Sequence, residues 1–127
     1  MPSQRIPPLV IQQWGKVKHD LIPVIEKTKG PGMTPEFKQD LRKKVETLFV
    51  SFDKGLRDKL KKASEAKNDA EAKKALQDVI TISGDYLSKL QTAQKQWGTS
   101  GRSAGEVIEK NLLRIREVAT TTLKAIR

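Results

Sequence analysis

The stretch most suggestive of chemistry is QWGTSGRSAGEVIEKNLL, residues 96–113, where Gly98, Gly101, Gly105 and the hydroxyls of Thr99, Ser100 and Ser103 surround Arg102 ahead of a helical pattern. A phosphate loop of the P-loop type needs a strand before it and Gly-Lys-Ser/Thr at its end, so that backbone amides cradle the phosphate and lysine reaches it. Neither is present. The residues read instead as punctuation: Gly98 suits the left-handed position that closes one helix, and Ser103-Ala104-Gly105-Glu106 has the spacing of a capping box that opens the next. Arg102, beside a helix N-terminus, is kept as a candidate anion contact.

His19 is the one histidine, and it falls between Val17 and Leu21, off the apolar stripe of its helix. A bundle-core metal site of the di-iron kind needs Glu-x-x-His pairs and further carboxylates, and no such pair occurs. His19 is therefore expected in solvent, with no metal or cofactor bound. Most of the carboxylates have a basic neighbour at helical spacing, as Asp40 with Lys44, Asp53 with Arg57, Asp58 with Lys62 and Glu106 with Lys110. Such exposed pairs contribute about 0.2–0.5 kcal/mol each, and acids serving proton transfer would have to escape such neighbours and sit in a pocket, which the sequence does not show. No catalytic group stands out, and the expectation is a protein that is not an enzyme.

The remaining chemistry is cationic. The chain carries 25 Lys/Arg against 15 Asp/Glu, a formal net charge of +10, with a net positive charge in every quarter of its length. The densest run is Lys54-Gly55-Leu56-Arg57-Asp58-Lys59-Leu60-Lys61-Lys62, preceded on the same helix by Arg42-Lys43-Lys44. The candidate anion or partner contacts are Arg42, Lys43, Lys59, Lys61, Lys62, Arg102, Arg114 and Arg116. A basic helix can track phosphates or lie on anionic lipid, yet cations at a helix C-terminus are also favoured by the dipole alone. Phe37, Phe52, Tyr86 and Trp97 fall on apolar stripes and so are not expected to stack on bases.

These side chains must be held by helices, because apolar residues recur at steps of three and four in four stretches and nowhere alternate with period two. The first places Ile6, Val10, Trp14, Val17, Leu21 and Val24 on one face, crosses Pro23, and ends near Gly30. In the second, Thr34, Pro35 and Glu36 mark a start, and Phe37, Leu41, Val45, Leu48, Phe52, Leu56 and Leu60 form the stripe. Beyond Leu60 the apolar residues shrink to alanine, and Asn68 with Glu71 offers a new cap; without that break, residues 35–97 would be one rod of roughly 95 Å. The third seam is Leu76, Val79, Ser83, Tyr86, Leu90, Ala93 and Trp97, and the fourth is Ile108, Leu112, Ile115, Ala119, Thr122 and Ile126. Gly15, Gly55 and Gly84 fall inside helices at a cost of about 1 kcal/mol each relative to alanine, which calls for close approach of a neighbour such as Trp14 or Tyr86.

The sequence thus predicts an all-α fold, an antiparallel up-down-up-down four-helix bundle with helices at about 6–29, 35–66, 69–97 and 104–126. It forms one domain over residues 1–127, with an N-terminal arm at 1–7 and a Gly/Ser linker at 98–103. There is no cysteine for a disulfide, and Leu9-Val10-Ile11 is too short for a signal or membrane segment, so the expectation is a soluble chain, cytoplasmic by default. The function expected is a non-catalytic basic bundle with a protein partner. Alternatives are electrostatic binding of nucleic acid or an anionic membrane, with the cations of helices two and four on one face, and a secreted effector or toxin-accessory protein with an exposed patch near Leu9, Ile11, Ile22 and Ile25. Homo-dimerisation through the seams of helices three and four is a further possibility.

Overall fold

Each apolar stripe becomes the inward face of a helix. The computed structural model describes residues 6–28 and 32–126, and it forms α1 (Pro8–Glu26), α2 (Pro35–Glu65), α3 (Asp69–Trp97) and α4 (Arg102–Ala125), with a 3-10 turn at Thr99–Gly101 between the last two. Among the described residues there is no strand. The expected cap at Gly30 and most of the 1–7 arm lie outside the described residues.

α1 starts two residues later than the spacing of Ile6 suggested. Pro8 disfavours helical backbone at Pro7, which is extended (φ −61°, ψ 140°), while Pro8 itself fits the first turn. Ile6 is nevertheless buried ahead of the helix. α2 opens as expected, with the Phe37 amide donating to Thr34 Oγ1 at 3.2 Å. The break after it is real: the Glu71 amide donates to Asn68 Oδ1 at 2.8 Å and the Lys67 amide to Glu71 Oε2 at 3.0 Å, so two helices replace one rod.

The capping box expected at Ser103 is not formed. Gly98 closes α3 at φ 69°, donating its amide to Gln94 O at 3.0 Å, but the chain then winds at once into the 3-10 turn, and Gly101 becomes the cap of α4 without a side-chain bond. Ser103 lies inside the first turn of α4. Glu106 pairs with Arg102 at 3.3 Å rather than with the cap or Lys110. The segment expected as a linker is therefore mostly helical, since a 3-10 turn flows into an α-helix without a gap.

α3 and α4 share the most extensive interface, α2 packs on α3, and α1 closes against both α2 and α4; α2 and α4 meet only marginally, as diagonal partners of a four-helix bundle do. Between α1 and α2, Trp14 meets Phe49 and Glu26 meets Lys38. Between α2 and α3, Phe52 meets Tyr86 and Lys59 meets Asp78, and between α3 and α4, Gly84 meets Arg116 and a Cβ at Gly105 would meet Gln94. Numbers rise on one helix as they fall on the next, which is the register of antiparallel neighbours.

The α2 stripe differs from expectation in two places. Phe49, not Leu48, is buried, and Phe37, in the first turn of α2 beyond the level where α3 ends, is 40 % exposed. Ala93 and Thr122, expected on the seams, are half-buried. Of the helical glycines, Gly55 shows the expected close approach: the Tyr86 hydroxyl occupies the space of a Cβ. At Gly84 the Arg116 guanidinium lies at ordinary contact distance, and at Gly15 nothing approaches within 4 Å, so no packing compensates it.

Gly55→Ala should lower unfolding free energy by about 1–3 kcal/mol, through forced displacement of Tyr86. In the Tyr86→Phe background the same substitution should cost markedly less, as read by urea denaturation of the four proteins of the cycle.

Candidate functional site

The end of the bundle where α2 turns into α3 brings two of the candidate cations, Lys59 and Lys62, together with Lys67 and Lys74. The inward stripe of α2 finishes in Ala63, and α3 begins with Ala72 and Ala75, all buried. Small side chains let the helices close tightly inside and leave a concavity outside, at Ala66 and Ala75. This cleft has a volume of about 480 Å³; Lys59, Lys62, Lys67 and Lys74 surround it, with Glu65, Glu71 and Asp78 between them.

The charges are partly cancelled. Lys59 pairs with Asp78 across the two helices at 3.5 Å, and Lys62 pairs with Asp58 at 3.4 Å. Glu71 is occupied by the Lys67 amide. The ammonium groups of Lys67 and Lys74 make no ion pair among the described residues, and both residues are exposed. Ammonium groups on flexible stems are point charges that can gather around a carboxylate or phosphate without imposing a fixed geometry. The cleft thus presents cations beside a small apolar wall.

The other candidate residues are dispersed. Arg42 pairs with Glu46 at 2.9 Å and lines a hollow at the top of α1 and α2 with Glu26, Met33 and Lys38. Lys43 borders a groove between α2 and α3 beside Leu48 and Trp97, and Lys61 is exposed on α2. Arg102 lines an α3–α4 groove with Gln91 and Gln94; Arg114 is exposed on α4, and Arg116 is exposed with its guanidinium over Gly84. α2 and α4 meet only marginally, and of these residues Lys59 and Arg116 each reach α3, at Asp78 and at Gly84.

The expected apolar patch is also absent as drawn: Leu9 is 57 % exposed, but Ile25 is core and Ile11 and Ile22 are half-buried. The seams of α3 and α4 pack against each other within the chain. Phe52, Tyr86 and Trp97 are buried as expected for non-stacking aromatics, whereas Phe37 is accessible. His19 is exposed. Among the described residues, no helix is long and apolar enough to cross a membrane.

Two features were missed from sequence. Lys67 and Lys74 lie beyond the helix break, and their approach to Lys59 and Lys62 depends on the α2–α3 hairpin; the signal was a lysine run continuing through both sides of a short turn. The spacing of Asp53 points to Arg57 alone. Its carboxylate also accepts the Trp14 indole N–H at 2.8 Å while holding Arg57 at 2.9 Å, so it ties α1 to α2.

Compared with known proteins, the chain matches no family model, no curated protein and no solved structure. The reading of its function therefore rests on its own residues.

Tyr86 stacks on Phe52 at 4.3 Å between ring centres, with Lys89 over its ring at 5.8 Å. Burial pushes its phenol above the ordinary value of 10.0; Lys89 pulls it down and Asp85 adds to the rise. A raised folded value means that the unfolded chain ionises first, so this contribution to stability is intact below pH 10 and declines as pH rises through the folded value. Wild type should lose stability above pH 10 by a margin that Tyr86→Phe does not show, as measured by urea denaturation across the alkaline range.

Proposed function

We propose that this chain is a non-catalytic helical-bundle module that docks an acidic segment of a protein partner at the α2–α3 end. The observation that carries this reading is the cleft itself: Lys59, Lys62, Lys67 and Lys74 gather around Ala66 and Ala75, and the last two lysines have no ion pair among the described residues. Interfaces of modest affinity commonly combine a small apolar contact with charged groups that accelerate encounter and select the sign of the partner.

The dispersal of the remaining cations favours a local docking site over a phosphate track. Backbone tracking needs several lysines or arginines along one continuous face, and the candidate cations of α2 and α4 stand on helices that meet only marginally. A protein partner with a few clustered carboxylates or a phosphorylated side chain requires only one end of the bundle.

Capture from a lysate of the source cells, with wild type and the Lys62→Glu/Lys67→Glu/Lys74→Glu variant as baits, tests the reading. A protein held by wild type, lost with the triple variant and retained after nuclease treatment is the expected outcome. Loss of capture on nuclease treatment, or tight binding of labelled duplex DNA with a steep salt slope that the triple variant shares, would transfer the function to nucleic acid.

A further inference from the structure

The four helices are not held equally. α2 and α3 each begin with a side-chain cap and an acid in the first turn, and each ends with a lysine in the last turn. α4 lacks a side-chain cap but continues from a 3-10 turn, ends with Lys124, and lies in the largest interface of the bundle. α1 has none of these supports: Pro7 supplies no cap, its first turn has no acid, and its last turn has no base.

Its interior is weak as well. Pro23 cannot donate to the carbonyl of His19, and Gly15 costs helix stability with nothing packed against it. Val10, Ile11, Val17, Ile22, Val24 and Ile25 are β-branched and lose side-chain freedom in a helix. Gln13 Oε1 is buried with no hydrogen-bond partner, a defect on the packed side.

What holds α1 is its apolar face, Val10, Trp14, Val17, Leu21 and Ile25, together with ties to α2. The Trp14 indole donates to Asp53 at 2.8 Å, its ring meets Phe49 at 4.8 Å, and Lys38 Nζ donates to the Glu26 carbonyl at 3.0 Å. The Lys38 bond is exposed, so the Trp14–Asp53 contact is the principal polar anchor.

We propose that α1 is the opening element of the bundle, leaving α2–α3–α4 as a unit far more often than those three helices come apart. A detached α1 has little reason to stay helical, so release and local unfolding are one event. Opening bares the apolar face of α1 and the α2 and α4 positions beneath it, beginning with Phe49. The closed bundle is then the resting state of a device that uncovers an apolar trough without global unfolding.

Native-state hydrogen exchange on the whole chain reads this directly. The amides of residues 14–22 should open about a hundredfold more often than those around Leu90 and Leu112 in the α3–α4 seam. Gly15→Ala should slow exchange in α1 about fivefold and leave α3 and α4 unchanged, because a helix that opens locally feels its own propensity alone. Asp53→Ala should speed α1 exchange about tenfold by stranding the buried indole N–H, and Arg57→Ala, which removes only the exposed partner of Asp53, should do much less. Equal protection in all four helices, or a Gly15→Ala effect spread over all of them, would overturn the proposal. If Asp53→Ala proves unable to fold, the Gly15→Ala comparison decides.

Discussion

The stacking of Phe52 on Tyr86, with the tyrosine hydroxyl seated over Gly55, sets the separation and register of α2 and α3, and much of the molecule follows from that contact. A side chain at position 55 would hold the helices apart. With them close, Lys59 comes level with Asp78, the alanines at 63, 72 and 75 can fill the narrowing end of the core, and the α2–α3 turn becomes a cleft rather than a rounded tip. One turn earlier on the same face of α2, Phe49 receives Trp14. α2 thus carries two adjacent aromatic anchors, one for each neighbour.

The charge distribution gains meaning only on this frame. A net charge of +10 spread along a chain describes solubility as well as it describes binding. In the bundle, many cations are matched locally, as with Arg42 and Glu46, Lys44 and Asp40, or Lys89 and Asp85, all one helical turn apart. Such pairs are exposed or only partly buried and contribute little to stability, but they shorten the list of cations available to a partner. Lys67 and Lys74 remain available where the fold is concave.

Stability is graded across the structure in a way that follows the same logic. α3 and α4 present continuous seams to each other from Leu90 to Leu76 and from Ile108 to Ile126, whereas α1 is shorter, 19 residues against 31 in α2, and is crossed by a proline. Its hold depends on tertiary contacts made by Trp14, since its own sequence does little to sustain a helix. The helix least able to stand alone also makes smaller interfaces with α2 and α4 than α3 does.

Much of the fold was legible in the sequence because helical burial is periodic and local. Val45, Leu56, Leu60, Val79, Leu90, Ile108 and Leu112 were all assigned inward from spacing, and the caps at Thr34 and Asn68 were assigned from residue type, since a cap is satisfied within four residues. Errors arose where a neighbouring element decided. Leu48 and Phe49 are adjacent on the helix surface, and only the position of α1 makes Phe49 the buried one; Phe37 fits the stripe but extends past the end of α3. Ser103 had the right spacing for a cap, but the chain leaving Gly98 turned directly into a helix. The sequence by itself determined the helices, their inward faces and the excess of positive charge, because these depend on local periodicity and composition. Which cations share a surface, which helical glycines a neighbouring side chain crowds and which helix is weakly held were decided by tertiary structure, because each depends on distances between residues remote in the chain.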